Sequence, residues 1–169
     1  DRAPTGVARA AGVTDGRLEA VRREVDTVSR RLGRRIKILV GKPGLDGHSN
    51  GAEQIAVRAR DCGMDIHYEG IRLTPAEIVA ATAEKRAHVV GLSILSGSHI
   101  PLITETLERM RQAGLSDVPL VVGGIIPEDD AARLRAMGVA AVYTPKDFEL
   151  NRIMMDIVGL VDRAPIAAE

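Results

Sequence analysis

The two residues best suited to do chemistry are an aspartate and a histidine in a glycine-rich segment, residues 42–51. Asp46 and His48 flank Gly47, whose backbone freedom lets the carboxylate reach one ring nitrogen while the other ring nitrogen points outward. This is the arrangement of a metal-ligating histidine whose tautomer is held by a carboxylate, and Lys42 is spaced to pair with that carboxylate. On spacing alone, however, a turn with a solvated histidine is the more common explanation.

Small residues at three places in the chain suggest a ligand slot. The three glycines of residues 42–51 match neither the Walker pattern nor the dinucleotide pattern G-x-G-x-x-G, so nucleotide binding is a weak interpretation of them. Further small residues occur at residues 93–98 and at Gly123 and Gly124. Small residues that follow buried strands leave room between sheet and helix for an inserted group.

Alternating strands and helices must position these loops. Short runs rich in Val, Ile and Leu predict five strands, and longer amphipathic segments predict five helices, three of which open with proline. This alternation predicts an α/β fold with a doubly wound, flavodoxin-like or Rossmann-like, five-stranded parallel sheet whose ligands bind beyond the carboxyl ends of the strands. The predicted strands are residues 36–40, 65–68, 89–94, 120–122 and 140–143, and the predicted helices are residues 50–62, 75–84, 101–113, 127–137 and 147–161.

The length favours one domain with short extensions. Residues 1–14 are rich in Ala, Gly and Pro and start without Met, as expected for a piece of a longer chain, and apolar residues recur every three or four positions across residues 15–33. We expect a linker and an amphipathic helix over residues 1–33, a ligand-binding domain over residues 34–163 and a tail over residues 164–169.

Composition narrows the function classes. Lys plus Arg equals Asp plus Glu at 23 residues each, so no net field draws the chain to nucleic acid or to an anionic membrane. Two Tyr, one Phe and no Trp leave few rings for base stacking, and no apolar run reaches the ~20 residues of a bilayer span. The single Cys62 cannot form an internal disulfide. We expect a cytoplasmic protein with no nucleic-acid or membrane partner.

Three motifs in a fixed order resemble a known family. The motifs Lys42-x-Gly44-x-Asp46-Gly47-His48-x-x-Gly51, Ser93-x-Leu95 and Gly123-Gly124 are similar to the cobalamin-binding domain of methylmalonyl-CoA-mutase-like acyl-CoA mutases. The resemblance covers about residues 35–161. After the fifth strand, the sequence of those mutases is similar to Gly-Pro-Gly-Thr, whereas residues 143–150 of this chain differ from that pattern. They look more like the carboxyl-terminal domain of ethylmalonyl-CoA mutase.

The resemblance implies adenosylcobalamin as the cofactor, bound base-off and His-on. His48 would be the lower ligand of cobalt, with Asp46 and Lys42 behind it. The displaced benzimidazole tail would enter the slot, where Ser93 offers its hydroxyl and Leu95 packs on the ring. The cofactor-binding residues taken from the resemblance are Asp46, Gly47, His48, Ser49, Gly51, Ser93, Leu95, Ser96, Gly97, Gly123, Gly124, Tyr143 and Thr144.

The resemblance also implies an enzyme, a cobalamin-dependent mutase of the isomerase class. Its substrates would be ethylmalonyl-CoA and methylsuccinyl-CoA, or methylmalonyl-CoA and succinyl-CoA. Since the chain has no barrel-length segment, the acyl-CoA-binding barrel must be another domain or subunit. This chain then holds no catalytic residue and is expected to be inactive alone, and a homodimer through the full-length enzyme is an open option.

Two other functions use a similar fold. One is a free-standing corrinoid carrier or cobalamin-binding sensor without isomerase activity, which residues 42–51 alone do not separate from a mutase domain. The other is a phosphorelay receiver, which needs a phosphoacceptor aspartate after the third strand, where this chain has Ser93. We therefore discount the receiver.

The remaining histidines and the cysteine have simpler interpretations. His67 alternates with apolar neighbours and is expected to be packed or at a sheet edge, and His88 is expected to be solvated. His99 follows a loop on the ligand face, where it either touches the rim of the corrin or caps a helix and is exposed to solvent. Cys62 is expected to be unreactive.

Overall fold

Helices and strands alternate along the part of the chain that the structure describes. The computed structural model describes residues 5–43, 50–94, 100–144 and 149–163. In order, their elements are α1 Thr5–Leu32, β1 Lys37–Pro43, α2 Asn50–Asp61, β2 Asp65–Leu73, α3 Pro75–Lys85, β3 Val89–Ile94, α4 Ile100–Gln112, β4 Leu120–Gly124, α5 Glu128–Met137, β5 Ala141–Tyr143 and α6 Leu150–Arg163. None of these helices is both long and apolar enough to cross a bilayer.

The five strands form one sheet in the order β2-β1-β3-β4-β5, and every pairing is parallel. This confirms the predicted doubly wound α/β fold and its strand count. The winding reverses between β1 and β3, because the chain moves outward from β1 in one direction and returns to add β3 on the other side. In sheets of this kind the crevice for a ligand lies at that reversal, beyond the carboxyl ends of the strands.

Two apolar layers, one on each face of the sheet, hold the helices in place. On the first face, α1, α2 and α6 pack through side chains such as Val25 and Met154, which have no exposed surface. On the second face, α3, α4 and α5 pack through side chains such as Ile78 and Leu134, which are also completely buried. Burying one side chain of this size contributes about 1.5–3 kcal/mol, so each layer fixes its helices firmly.

The first helix is longer than the sequence pattern predicts. It begins at Thr5, whereas the amphipathic period begins at residue 15 and predicts a linker before it. The second half of α1 is held by buried Val25 and by an ion pair from Arg31 to Asp162 of α6, with Nη2 and Oδ1 2.7 Å apart. A helix that is already nucleated extends at low cost through residues such as Ala and Arg.

The first two strands also extend beyond the predicted residues. β1 runs to Pro43 and β2 runs to Leu73. Their register shifts after Val40, so that Gly41 faces Gly70, which has a φ of +113°. The apolar pattern stops at this shift, but the pairing continues past it because glycine accepts the irregular backbone.

Candidate functional site

Three of the predicted site residues lie side by side at the carboxyl edge of the sheet. Ser93 of β3 pairs in register with Gly123 of β4, and Gly123 pairs with Tyr143 of β5. Their neighbours Leu92 and Ile94 pack into the second apolar layer. Because side chains alternate along a strand, the row formed by Ser93, Gly123 and Tyr143 faces the first layer, which α2 and α6 cover.

The fold does not require glycine at the centre of this row. A Cβ built on Gly123 would lie 3.6 Å from the carbonyl oxygen of Tyr143, which is an ordinary van der Waals contact. The same holds for Gly91, which lies two residues before Ser93 on the same face. A Cβ built on Gly91 would also make an ordinary contact, 3.6 Å from Val121 Cγ2. Gly91, Ser93 and Gly123 therefore form a strip of small residues in the central strands, and at both glycines of the strip the fold would accept a Cβ.

Gly124 has a different role, which the sequence analysis missed. Its φ is +153°, and a Cβ there would lie 1.6 Å from the carbonyl oxygen of Ile94. No side chain fits that close approach between β4 and the end of β3, so the fold itself demands glycine at this position. The second glycine of the pair therefore closes the edge of the sheet and does not create space.

Tyr143 ends the row on its far side, and Thr144 follows it directly after β5; the two residues are 7% and 9% exposed. The Tyr143 hydroxyl donates to Oδ2 of Asp156 on α6 over 3.1 Å. This bond ties the last strand to the helix that covers the first layer. The Tyr143 ring therefore has a fixed position at the site.

The other predicted residues stand at the start of the site or outside the described residues. Lys42 is in β1 and not in the loop after it, and the preceding residue of β1 pairs with Leu92, so Lys42 lies level with the carboxyl edge. Gly51 is the second residue of α2. The predicted residues outside the described part of the chain are Asp46, Gly47, His48, Ser49, Leu95, Ser96 and Gly97, together with His99.

His88 contradicts the prediction that it is solvated. It lies at the amino end of the sheet and is half-buried, and its Nδ1 accepts a hydrogen bond from the backbone N–H of Lys37 over 3.0 Å. Burial, followed by the nearby charges of Arg34, Arg86 and Lys37, lowers the pKa of His88 to about 4. The neutral ring therefore acts as a structural acceptor, at the edge of the sheet opposite the predicted site.

His67 and Cys62 agree with their predictions. His67 lies on the edge strand β2, half-buried, with its Nε2 2.5 Å from Oε1 of Glu69. Cys62 is 1% exposed, and burial raises the pKa of its thiol to about 11. A buried thiol that stays protonated at neutral pH is a poor nucleophile.

Two further observations concern sites elsewhere among the described residues. These residues contain no cluster of three His, Cys, Asp or Glu side chains that could hold a metal ion. A cavity of about 650 Å³ opens at the amino ends of β4 and β5, lined by side chains that include Leu115, Met137 and Leu160. It lies at the opposite edge of the sheet from the row at the strand ends.

Comparisons with known proteins identify the same segment. Residues 36–148 match the family described as "B12 binding domain". The chain is 75% identical over 168 residues to ethylmalonyl-CoA mutase of Cereibacter sphaeroides, an alignment that covers 99% of this chain and 26% of that protein. It is 36% identical over 107 residues to the 2-hydroxyisobutanoyl-CoA mutase small subunit of Aquincola tertiaricarbonis, covering 63% of this chain and 79% of that subunit.

A solved structure has the same fold. A cobalamin-binding protein from Desulfitobacterium hafniense superposes with a TM-score of 0.64 at 21% identity, covering 85% of this chain and 67% of that one. At this identity the likeness concerns the fold alone. The much higher identity to ethylmalonyl-CoA mutase extends over only about a quarter of that protein's length.

Proposed function

Since the chain belongs to the B12-binding domain family and its cofactor is therefore cobalamin, we propose that it holds adenosylcobalamin for an acyl-CoA carbon-skeleton mutase. The reaction is of the ethylmalonyl-CoA/methylsuccinyl-CoA or the methylmalonyl-CoA/succinyl-CoA type. Support comes from the 75% identity to ethylmalonyl-CoA mutase over almost the whole of this chain. Adenosylcobalamin supplies a cobalt–carbon bond whose homolysis gives the radical that abstracts a substrate hydrogen.

The strip of small residues fits the nucleotide tail of this cofactor. Glycine in the interior of a strand lowers stability by about 0.5–1 kcal/mol relative to alanine. Gly91 and Gly123 occupy such positions although a Cβ would fit at each, so the fold itself gives no reason for them. A flat group inserted between the sheet and α2 does give one. Ser93, between these glycines on the same face, would offer its hydroxyl to the inserted benzimidazole.

The lower axial ligand is assigned to His48 from the sequence motif. Asp46 would accept the N–H of the other ring nitrogen, which fixes the tautomer of the ring and raises the basicity of the coordinating nitrogen. Lys42, level with the carboxyl edge at the end of β1, would moderate the charge of that carboxylate. Ser49, Gly51, Leu95, Ser96, Gly97, Gly123, Gly124, Tyr143 and Thr144 complete the proposed binding set.

The substrate-binding part of the mutase would be a separate barrel domain or subunit. Ethylmalonyl-CoA mutase of Cereibacter sphaeroides is almost four times as long as the segment matched here, while the Aquincola tertiaricarbonis relative is a small subunit. The chain alone is therefore expected to bind cobalamin without turning over acyl-CoA. We favour the mutase over the free-standing carrier because the sequence relatives above are mutases, whereas likeness to the cobalamin-binding protein of Desulfitobacterium hafniense is at 21% identity.

Electron spin resonance of bound cob(II)alamin tests the ligand assignment. Coupling to one ¹⁴N ligand splits each cobalt line into a triplet, whereas ¹⁵N gives a doublet. With uniformly ¹⁵N-labelled protein and unlabelled cofactor, we expect doublets if His48 has replaced the benzimidazole. The variant His48→Ala should lose this coupling, and the control His67→Ala should retain it. Triplets in the labelled wild type would refute the His-on mode, and an absence of corrinoid binding would refute the function itself.

A further inference from the structure

Positive charge gathers at the amino edge of the sheet, opposite the proposed cofactor slot. Lys37 begins β1, and His88 directly precedes β3. The His88 N–H donates to the Lys37 carbonyl oxygen over 2.8 Å, and the Lys37 N–H donates to His88 Nδ1 over 3.0 Å. Arg86, two residues before His88, contributes its carbonyl oxygen as the acceptor for Nη2 of Arg34. These contacts hold three cationic residues close to one imidazole ring.

Arg86 occupies a position where glycine is the usual residue. It is the C-cap of α3, with a φ of 55° and a ψ of 49°, and among the described residues no other residue except glycine has a positive φ. Gly33 and Gly138 take this conformation after α1 and α5. A side chain in the left-handed region costs stability. Since Arg34 bonds only to the backbone of Arg86, the fold gives no reason for an arginine here.

The charges of this cluster are not neutralised within the described part of the chain. There, Arg34, Lys37 and Arg86 form no ion pair with a carboxylate. Burial and the charge of Arg86 lower the pKa of Arg34 more than the charge of Asp65 raises it. Burial, and then the charges of the three cations, lower the pKa of His88 to about 4. The chain as a whole has equal numbers of basic and acidic residues, so this excess of positive charge is local.

The ring of His88 adds a hydrogen-bond donor to these charges. Its Nδ1 accepts from the Lys37 N–H, so the proton of the neutral ring is on Nε2. Nε2 has no hydrogen-bond partner among the described residues, and no buried side-chain nitrogen of those residues lacks a partner. This nitrogen therefore reaches the solvent. An accessible N–H beside three cations is an arrangement that recognises an anion.

We propose that an oxyanion of the phosphate type binds at the cationic cluster formed by Arg34, Lys37, Arg86 and His88. The ligand is either free phosphate or the phosphate group of a larger molecule. Such a group has several acceptor oxygens and a charge of about −1.5 to −2 near neutral pH, and guanidinium groups match its geometry with paired donors. Its charge would offset the repulsion within the cluster. The cluster lies at the edge of the sheet opposite the cofactor slot, so the proposal does not depend on the proposed function.

Titration of the ¹⁵N-labelled chain with sodium phosphate at neutral pH and constant ionic strength, followed by NMR, tests the proposal. We expect saturable shifts of the backbone amides of Lys37, Arg86 and His88, whereas sodium chloride at the same ionic strength should cause none. Methyl phosphate, the simplest monoester, identifies the source of the ligand. Binding of the ester indicates a site open to the phosphate group of a larger molecule, and binding of inorganic phosphate alone indicates a site for the free ion.

Two variants remove one charge each. Arg86→Gly should weaken phosphate binding roughly fivefold, as the loss of one exposed and partly screened charge predicts. Its thermal stability should equal or exceed that of the wild type, because glycine adopts a positive φ freely. Lys37→Gln should weaken binding by a similar factor, because it leaves the backbone bonds with His88 in place. Arg152→Gln is the matched control, since Arg152 is exposed on α6 and forms no ion pair among the described residues, and it should leave the dissociation constant unchanged.

Three outcomes would overturn the proposal. Shifts that sodium chloride reproduces at the same ionic strength would reflect screening alone. Saturable binding that Arg86→Gly and Lys37→Gln both retain would place the anion elsewhere on the chain. Equal weakening by Arg152→Gln would show a general effect of net charge. If Arg86→Gly proves less stable than the wild type, the arginine has a structural role, and unchanged binding by Lys37→Gln is then sufficient to overturn the site.

Discussion

The adjacent glycines at the end of β4 should respond in opposite ways to the same substitution. In Gly124→Ala, the new Cβ would lie 1.6 Å from the Ile94 carbonyl oxygen, whereas real Cβ contacts are rarely closer than 3.0 Å. The backbones must then separate by about 1.4 Å, the difference between these distances. The strained φ of +153° costs about 1–3 kcal/mol, and one or two lost hydrogen bonds at the strand end cost about 0.5–1.5 kcal/mol each. Together these costs predict a destabilisation of about 1.5–6 kcal/mol.

Gly123→Ala should leave the fold intact. Its Cβ would make an ordinary contact at 3.6 Å with the Tyr143 carbonyl oxygen, and its φ lies outside the left-handed region. Replacing glycine by alanine where the backbone permits it stabilises a protein by about 0.4–1 kcal/mol, because the unfolded chain has less freedom to lose. The methyl group nevertheless enters the proposed slot. We therefore expect equal or higher stability together with weaker binding of cobalamin. Binding of cobinamide, which has the corrin ring but lacks the nucleotide tail, should be unchanged.

Urea unfolding followed by far-ultraviolet circular dichroism measures the stability difference, provided that the m-values of the two variants agree. Absorbance titration measures cofactor affinity on the same samples. Similar stability of the two variants would refute the close approach of Gly124 to Ile94. A stable Gly123→Ala variant that binds cobalamin as tightly as the wild type would refute the slot.

Two further predictions concern the frame of the domain. Because the pKa of His88 is lowered to about 4 in the folded state, the unfolded state takes up the proton first as the pH falls. The free energy of unfolding should therefore be unaffected by His88 above about pH 6.5 and should decrease as the pH drops towards 4. The slope should be well below ~1.4 kcal/mol per pH unit, because the ring is only half-buried. His88→Asn keeps an acceptor for the Lys37 N–H and should remove this component of acid destabilisation in urea titrations at several pH values; an unchanged slope would exclude His88 as its source. The capping box of α3 consists of two hydrogen bonds: the Thr74 hydroxyl accepts from the Glu77 N–H, and the Glu77 carboxylate accepts from the Thr74 N–H. Thr74→Ala removes this box and should lower the free energy of unfolding by about 0.5–2 kcal/mol. Thr27→Ala on the exposed face of α1 is its control, since the Thr27 hydroxyl bonds only within its own helix, and equal losses in the two variants would contradict the capping role.

The sequence was sufficient to predict the fold because each element carries its own periodic signal. Five apolar runs separated by amphipathic segments leave a parallel doubly wound sheet as the natural arrangement. The row of Ser93, Gly123 and Tyr143 was also predictable in part, since parallel strands end at one edge. Register was not predictable, because it depends on pairing between strands that are distant in the sequence. For the same reason the requirement for Gly124 was missed: it comes from the Ile94 carbonyl on a different strand.

The burial of His88 could not be predicted for a similar reason. Its sequence neighbours give no sign that the Lys37 backbone, 51 positions away, supplies its hydrogen bond. The extent of α1 was underestimated because the residues before the packed half have no apolar period, so nothing local marks the start at Thr5. The roles of Asp46 and His48 stay predictions from the motif, since both lie outside the described residues.

The two kinds of glycine in the central strands would let the sheet be rigid and still admit the proposed nucleotide tail. Gly124 closes β4 tightly against β3, and Ile94 and Val122 around it are buried. The edge is therefore fixed before any ligand arrives. Gly91 and Gly123 occupy neighbouring strands on the other face, where the fold would accept alanine. Two glycines on one face make the apo domain slightly less stable, and packing within the fold does not explain them. The proposed preformed slot would explain them, because a ligand that enters a rigid slot pays less of the free-energy cost of ordering the protein.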